Sequence, residues 1–177
     1  MVKNGEMDQN FGGATPAPGE GQQLNSLPLM IHAQYIKDLS IENPNAPASL
    51  KAGPGRPTLD VNFTMDAQKI KDEGPGNLFE VTLGIEATAK RDDLVAFIVE
   101  LQYSVLVSIS NMPDEQVHPL LLVEMPRYAF PFARQIIADA TQQAGFSPLL
   151  LAPVDFREFY LQRYGQPDSK APAVKSA

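Results

Sequence analysis

The sequence predicts an α+β fold, a four-stranded antiparallel sheet with one face covered by C-terminal helices. Two observations predict it. Four stretches, Leu29 to Glu42, Thr58 to Asp66, Leu78 to Lys90 and Val95 to Ser110, alternate polar and apolar residues in period two, with the apolar ones mainly at odd positions. Successive strand side chains point to opposite faces, so the pattern describes antiparallel strands with one dry and one wet face. Helical spacing follows only after residue 111, and a dry sheet face needs such a layer to cover it.

The second and third stretches carry the clearest alternation. Leu59, Val61, Phe63 and Met65 interleave with Thr58, Asp60, Asn62 and Thr64, and Phe79, Val81, Leu83, Ile85 and Ala87 with Glu80, Thr82, Gly84, Glu86 and Thr88. Between the first two strands, residues 43–57 hold Pro44, Pro47, Pro54 and Pro57 with Gly53 and Gly55, which excludes a tight hairpin and predicts a long crossover. Residues 90–93, Lys-Arg-Asp-Asp, are long enough only for a hairpin, so strands three and four are expected to be neighbours.

Helix signals begin at Asn111, an expected N-cap, with Pro113 near the first helical position and Asp114 and Glu115 in the first turn. Pro119, Pro126 and Pro131 predict a broken or kinked region rather than one straight rod. From Phe132 the spacing clears: Ala133, Ile136, Ile137, Ala140 and Ala144 form an apolar stripe, and Gly145 is the stop. After an apolar connection from Phe146 to Pro153, the spacing of Phe156, Phe159, Tyr160 and Arg163 predicts a last short helix, whose aromatics suit an ordinary core as well as a binding wall.

A chain of 177 residues with 44% hydrophobic content fits one domain, read as residues 27–164. Residues 1–26, rich in Gly, Asn, Gln and Pro with no apolar run suited to a signal peptide or membrane span, are read as a disordered arm, and residues 165–177 as a second tail. A net charge of -7 argues against nucleic-acid or anionic membrane surfaces and for a basic partner. The absence of cysteine excludes disulfides and thiolate metal sites and fits a reducing compartment.

No motif supports catalysis. His32 and His118 stand far apart in sequence without a further ligand at metal spacing, no phosphate-binding glycine loop is present, and the serines lie outside any nucleophile-elbow pattern. The expectation is a non-enzyme without cofactor or metal. The wet face is more informative. Asp38, Ser40 and Glu42 share one side of the first strand, and Ile98, Glu100 and Gln102 the same side of the fourth if odd positions are dry in both. Such a face can simply solvate a protein, but an aliphatic anchor among acids is also how a docking site for a basic partner is built.

Several segments resemble the SecB protein-export chaperones. They are Tyr35-Ile36-Lys37-Asp38-Leu39-Ser40 with Pro44-Asn45-Ala46-Pro47, Phe130-Pro131-Phe132-Ala133-Arg134, Gly145-Phe146-Ser147-Pro148-Leu149, and Leu151-Ala152-Pro153-Val154-Asp155-Phe156. The similarity runs in order from about Leu29 to Tyr164. It implies a cytoplasmic homotetramer, a dimer of dimers, that binds unfolded precursor proteins without nucleotide and delivers them to the SecA motor. On matching positions the SecA-docking residues are Asp38, Glu42, Ile98 and Glu100, the same patch that alternation picks out. Their expected partner is the basic, zinc-bearing tail of SecA, with the metal held by SecA. The client groove is expected at Val61, Phe63, Phe156 and Tyr160. The resemblance leaves a second reading, a SecB-like chaperone dedicated to another partner such as an antitoxin. Neither reading involves nucleic acid or direct membrane insertion.

Overall fold

A computed structural model of the chain describes residues 29–51, 57–71, 77–91, 93–165 and 175–176. The expected N-terminal arm and most of the expected tail lie outside these residues. Four long strands, β1 (Leu29–Glu42), β2 (Thr58–Ile70), β3 (Asn77–Arg91) and β4 (Leu94–Ile109), form an antiparallel sheet in the order β1-β4-β3-β2. β3 and β4 are neighbours as the short connection requires, and β1 and β2 lie on opposite sides of that pair, so the two do not form a hairpin. A fifth strand of two residues, β5 (Lys175–Ser176), pairs parallel to Gln68 and Lys69 on the outer edge of β2.

The odd positions of β3 from Phe79 to Ala89 are all buried, as are Val99, Leu101, Tyr103, Val105 and Val107 of β4. Val99, Leu101 and Tyr103 therefore belong to the subunit's own core, and β4 is central in the sheet. The dry face is covered mainly by α2 (Met125–Gln143), with α1 (Asp114–Pro119) and α3 (Phe156–Tyr164) packed against the turn that leads into it.

The helical region differs from expectation at its start. Asn111 is not the N-cap; it takes φ +54, a conformation asparagine tolerates, and Pro113 precedes the first turn instead. α1 ends at Pro119, and a π turn over Leu120–Glu124 follows and leads directly into α2, so the region is interrupted where its first proline predicts. α2 begins seven residues before Phe132. Pro126 and Pro131 are both carried inside α2, where Met125, Ala129, Phe130 and Ala133 around them are buried.

The C-terminal stop is at Gly145, with φ +93. Its N–H donates to the Gln142 carbonyl at 3.1 Å and the Phe146 N–H to the Thr141 carbonyl at 3.2 Å, a Schellman closure that sets the Phe146 ring 4.9 Å from Phe97. The buried Thr141 hydroxyl then accepts from the Leu149 N–H at 3.0 Å, tying the apolar connection to α2. Asp155 caps α3, accepting from the N–H groups of Arg157 and Glu158. Among the described residues no helix is long and apolar enough to cross a membrane.

Candidate functional site

Strand register converts the alternation into rows across the wet face. Residues directly opposite in paired strands share a face. One row runs Asp60, Thr88, Ile98, Glu42; the next runs Asn62, Glu86, Glu100, Ser40; a third runs Thr64, Gly84, Gln102, Asp38. The structure thus brings together Asp38, Glu42, Ile98 and Glu100. Asp38, Glu42, Asp60, Glu86 and Glu100 are exposed, Ile98 is half-buried between Thr88 and Glu42, and among the described residues none of these acids makes a salt bridge.

Two acids of this face, Asp60 and Glu86, escaped the site assignment. Both stood at even positions of clear strands, but only the order β1-β4-β3-β2 places Glu86 directly opposite Glu100. Like charges facing each other oppose folding, so the pair works against the fold's own stability. Beside it lies a hollow of about 170 Å³ bordered by Asp38, Thr64, Gly84, Glu86, Glu100 and Gln102. Gly84 keeps it open: a Cβ there would clash with the Thr64 hydroxyl oxygen.

Odd positions are not dry throughout β1. Bulges between Ile31 and Ala33 and between Ile36 and Asp38 turn residues 33–36 over, so that Ile36 pairs with Tyr103 on the dry side and Tyr35 with Ser104 on the wet side. Lys37 at an odd position and Ile36 at an even one were the sequence's signal of this reversal. On the wet side Tyr35 and Lys37 both reach Glu80 of β3, the hydroxyl donating to Oε1 and Lys37 Nζ to Oε2 at 2.6 Å. Burial pushes the Tyr35 phenol up to about 12, aided by the Glu80 charge it faces. Burial alone would raise the Glu80 carboxyl, but the hydrogen bonds from Lys37 and Tyr35 and the Lys37 charge carry it below its ordinary value.

The four residues expected in a client groove divide. Val61 and Phe63 are half-buried on the dry side of β2, and Phe63 begins an aromatic ladder with Phe130 at 6.2 Å and then Phe156 at 5.8 Å. Phe156 is only 2% exposed, so it is a core residue here rather than a surface wall. Tyr160 is half-buried and borders a hollow of about 420 Å³ with Met112, Leu120, Val123 and Leu161. Its hydroxyl lies 2.8 Å from His118 Nδ1, and Tyr164 meets the same imidazole edge-on at 5.1 Å. Burial lowers the pKa of His118 and raises that of Tyr160, with the neighbouring Tyr164 adding to the latter.

A third apolar region was not expected as a surface. Ile36, Leu39 and Ile41 on the dry side of β1 and Tyr128 and Phe132 on α2 remain 37–48% exposed. Leu39 and Ile41 border a hollow of about 360 Å³ beside Ile136 and Ala140 of α2.

The family described as preprotein translocase subunit SecB matches residues 22–167 of the chain. A protein-export protein SecB of Rhodospirillum centenum is 46% identical over 143 residues, covering 80% of this chain and 83% of its own length. Its namesake in Sphingopyxis alaskensis is 47% identical over 148 residues, covering 84% and 83%, and that of Rhodopseudomonas palustris strain TIE-1 is 44% identical over 162 residues, covering 88% and 98%. Among solved structures, a Mycobacterium tuberculosis SecB-like chaperone, Rv1957, in complex with a peptide from the HigA1 antitoxin superposes with a TM-score of 0.56 over 71% of this chain and 87% of that one, at 14% identity, a likeness of fold alone. The chain belongs to the SecB family.

Proposed function

We propose that this protein is an ATP-independent cytoplasmic chaperone that keeps unfolded precursor proteins translocation-competent and hands them to the SecA motor. The observation that carries the reading is the acidic face with Ile98 set among Asp38, Glu42 and Glu100. A half-buried aliphatic anchor gives affinity, and exposed unpaired carboxylates steer a basic partner, here the zinc-bearing tail of SecA. Glu86 and Asp60 extend the same field across β3 and β2.

Clients bind on the opposite side, where Val61, Phe63 and Tyr160 offer aromatic and aliphatic surface, with Phe156 supporting it from behind. Apolar walls without convergent polar groups suit a client that has no fixed shape. The uncovered dry side of β1 and the aromatics of α2 support assembly into a homotetramer, a dimer of dimers, since apolar surface of that kind is normally covered. One client then engages several subunits, and weak contacts sum through effective concentration. The rival reading, service to an antitoxin, belongs to a neighbour at 14% identity, whereas relatives at 44–47% carry the export name.

The test is retention of a slow-folding precursor. The protein alone, without nucleotide, is expected to hold the precursor in a soluble complex seen by light scattering coupled to size exclusion. A protein indifferent to the unfolded precursor would overturn the reading.

A further inference from the structure

The first bulge of β1 turns the strand over, and Asp38 and Glu42 reach the acidic face only because the second bulge turns it back. Ile36 pairs with Tyr103 and Asp38 with Gln102, which leaves Lys37 as the extra residue. Without that residue's displacement the pairing would continue with Lys37 opposite Gln102, Asp38 opposite Leu101, Leu39 opposite Glu100 and Ile41 opposite Ile98. A slip of one residue turns every later side chain to the other face. Asp38, Ser40 and Glu42 would then point toward α2, and Leu39 and Ile41 would stand among the acids.

The bulge has a fastening. Glu80 belongs to β3, two strands away from β1, yet both its carboxylate oxygens are used by β1: one accepts from Tyr35, the residue two before the bulge, and the other from Lys37, the bulged residue itself. The Glu80 side chain is 12% exposed and that of Lys37 41%, so the carboxylate is held in place by two donors while the ammonium end stays open to water. Beneath the contact, the Thr82 and Ser104 hydroxyls sit 2.9 Å apart, linking β3 to the β4 residue that pairs with Tyr35. The bulge's extra side chain is thus held across β4.

We infer that Glu80, with Tyr35 and Lys37, fixes the register of β1 and so positions Asp38 and Glu42 on the docking face. Glu80 is a positioning residue: it sets where two acids stand and is not itself part of the partner's contact. The inference rests on the docking reading of that face.

The test compares Glu80→Ala, Tyr35→Phe and Ile98→Asp in the full chain. Binding of the basic SecA tail is measured by calorimetry, and register by nuclear magnetic resonance contacts between β1 and β4. Glu80→Ala is expected to weaken tail binding about tenfold, and to replace the Leu39–Leu101 contact by Leu39–Glu100 or broaden it away. Tyr35→Phe, which removes one of the two bonds and keeps the ring, is expected to shift both readouts in the same direction by less, and it serves if Glu80→Ala does not fold. Ile98→Asp is expected to lose binding with the register intact. Unchanged Leu39–Leu101 contacts in Glu80→Ala, whether or not binding falls, would overturn the clamp. Undiminished binding by Ile98→Asp would instead overturn the docking reading beneath it.

Discussion

Phe156 separates core from binding wall, and its replacement can be worked through from the structure. The ring is 2% exposed and meets Phe130 edge-on, 5.8 Å between centroids. Truncating a buried Phe to Ala costs about 3–5 kcal/mol, against a total stability of roughly 5–15 kcal/mol for a domain. Phe156→Ala would therefore lower client binding merely by populating unfolded chaperone. Phe156→Leu is the informative variant: losing the edge contact, about 0.5–1.5 kcal/mol, and opening a small void predicts a cost on the order of 1–2 kcal/mol. Tyr160→Ser gives up one hydrogen bond to His118 and part of a half-buried ring, again about 1–2 kcal/mol. The two variants are thus matched in stability and differ in what they present to a client. Urea denaturation checks the match, and retention of a slow-folding precursor reads the function. Phe156→Leu is expected to retain client as wild type does, while Tyr160→Ser releases it faster. A folded Phe156→Leu that loses retention as fully as Tyr160→Ser would refute the reasoning, because the ring would then have to meet the client directly.

Three further predictions follow from local geometry. The pKa of His118 is lowered from 6.5 by burial, so the neutral ring is the one the fold accepts. Its stability contribution is full above the unfolded value near 6.5 and is lost as pH falls below it, and His118→Gln is expected to flatten the urea midpoint between pH 7.5 and 5.5. Gly84→Ala forces the Thr64 hydroxyl aside and is expected to destabilise by about 1 kcal/mol, with Thr64→Ala restoring stability in the double variant, since only that oxygen lies within 3 Å. Thr141→Val keeps the shape but leaves the Leu149 N–H without its acceptor, for an expected loss of about 1–3 kcal/mol in thermal or urea unfolding.

Much of the fold was legible because period two survives wherever one face is buried. From Phe79 to Ala89 every odd residue is inside, and the pattern alone fixed the faces of β3. It was weaker in β1, an edge strand whose dry side is partly uncovered, where two bulges reversed residues 33–36 and left only Ile36 and Lys37 out of step as a trace. Prolines marked the interruption only in part, because their cost depends on what surrounds them: α1 gives way to a π turn after Pro119, but Pro126 and Pro131 lie inside α2 among buried neighbours. The four residues of the expected docking patch fell on one face because the two bulges of β1 cancel: the second returns Asp38 and Glu42 to the side that plain alternation assigns them. Asp60 and Glu86 needed the strand order as well, which alternation does not contain. Phe156 sat at helical spacing with Phe159 and Tyr160, and spacing alone cannot tell which aromatic turns inward.

The measurement that bears most directly on the account is titration of intact SecA against the wild-type protein, Ile98→Asp and Glu100→Gln at low and physiological salt. Wild type is expected to bind, more weakly as salt screens the carboxylates, and both variants to bind at least about tenfold more weakly with client retention unchanged. Binding by a folded Ile98→Asp that matches wild type at both salt concentrations would contradict the account.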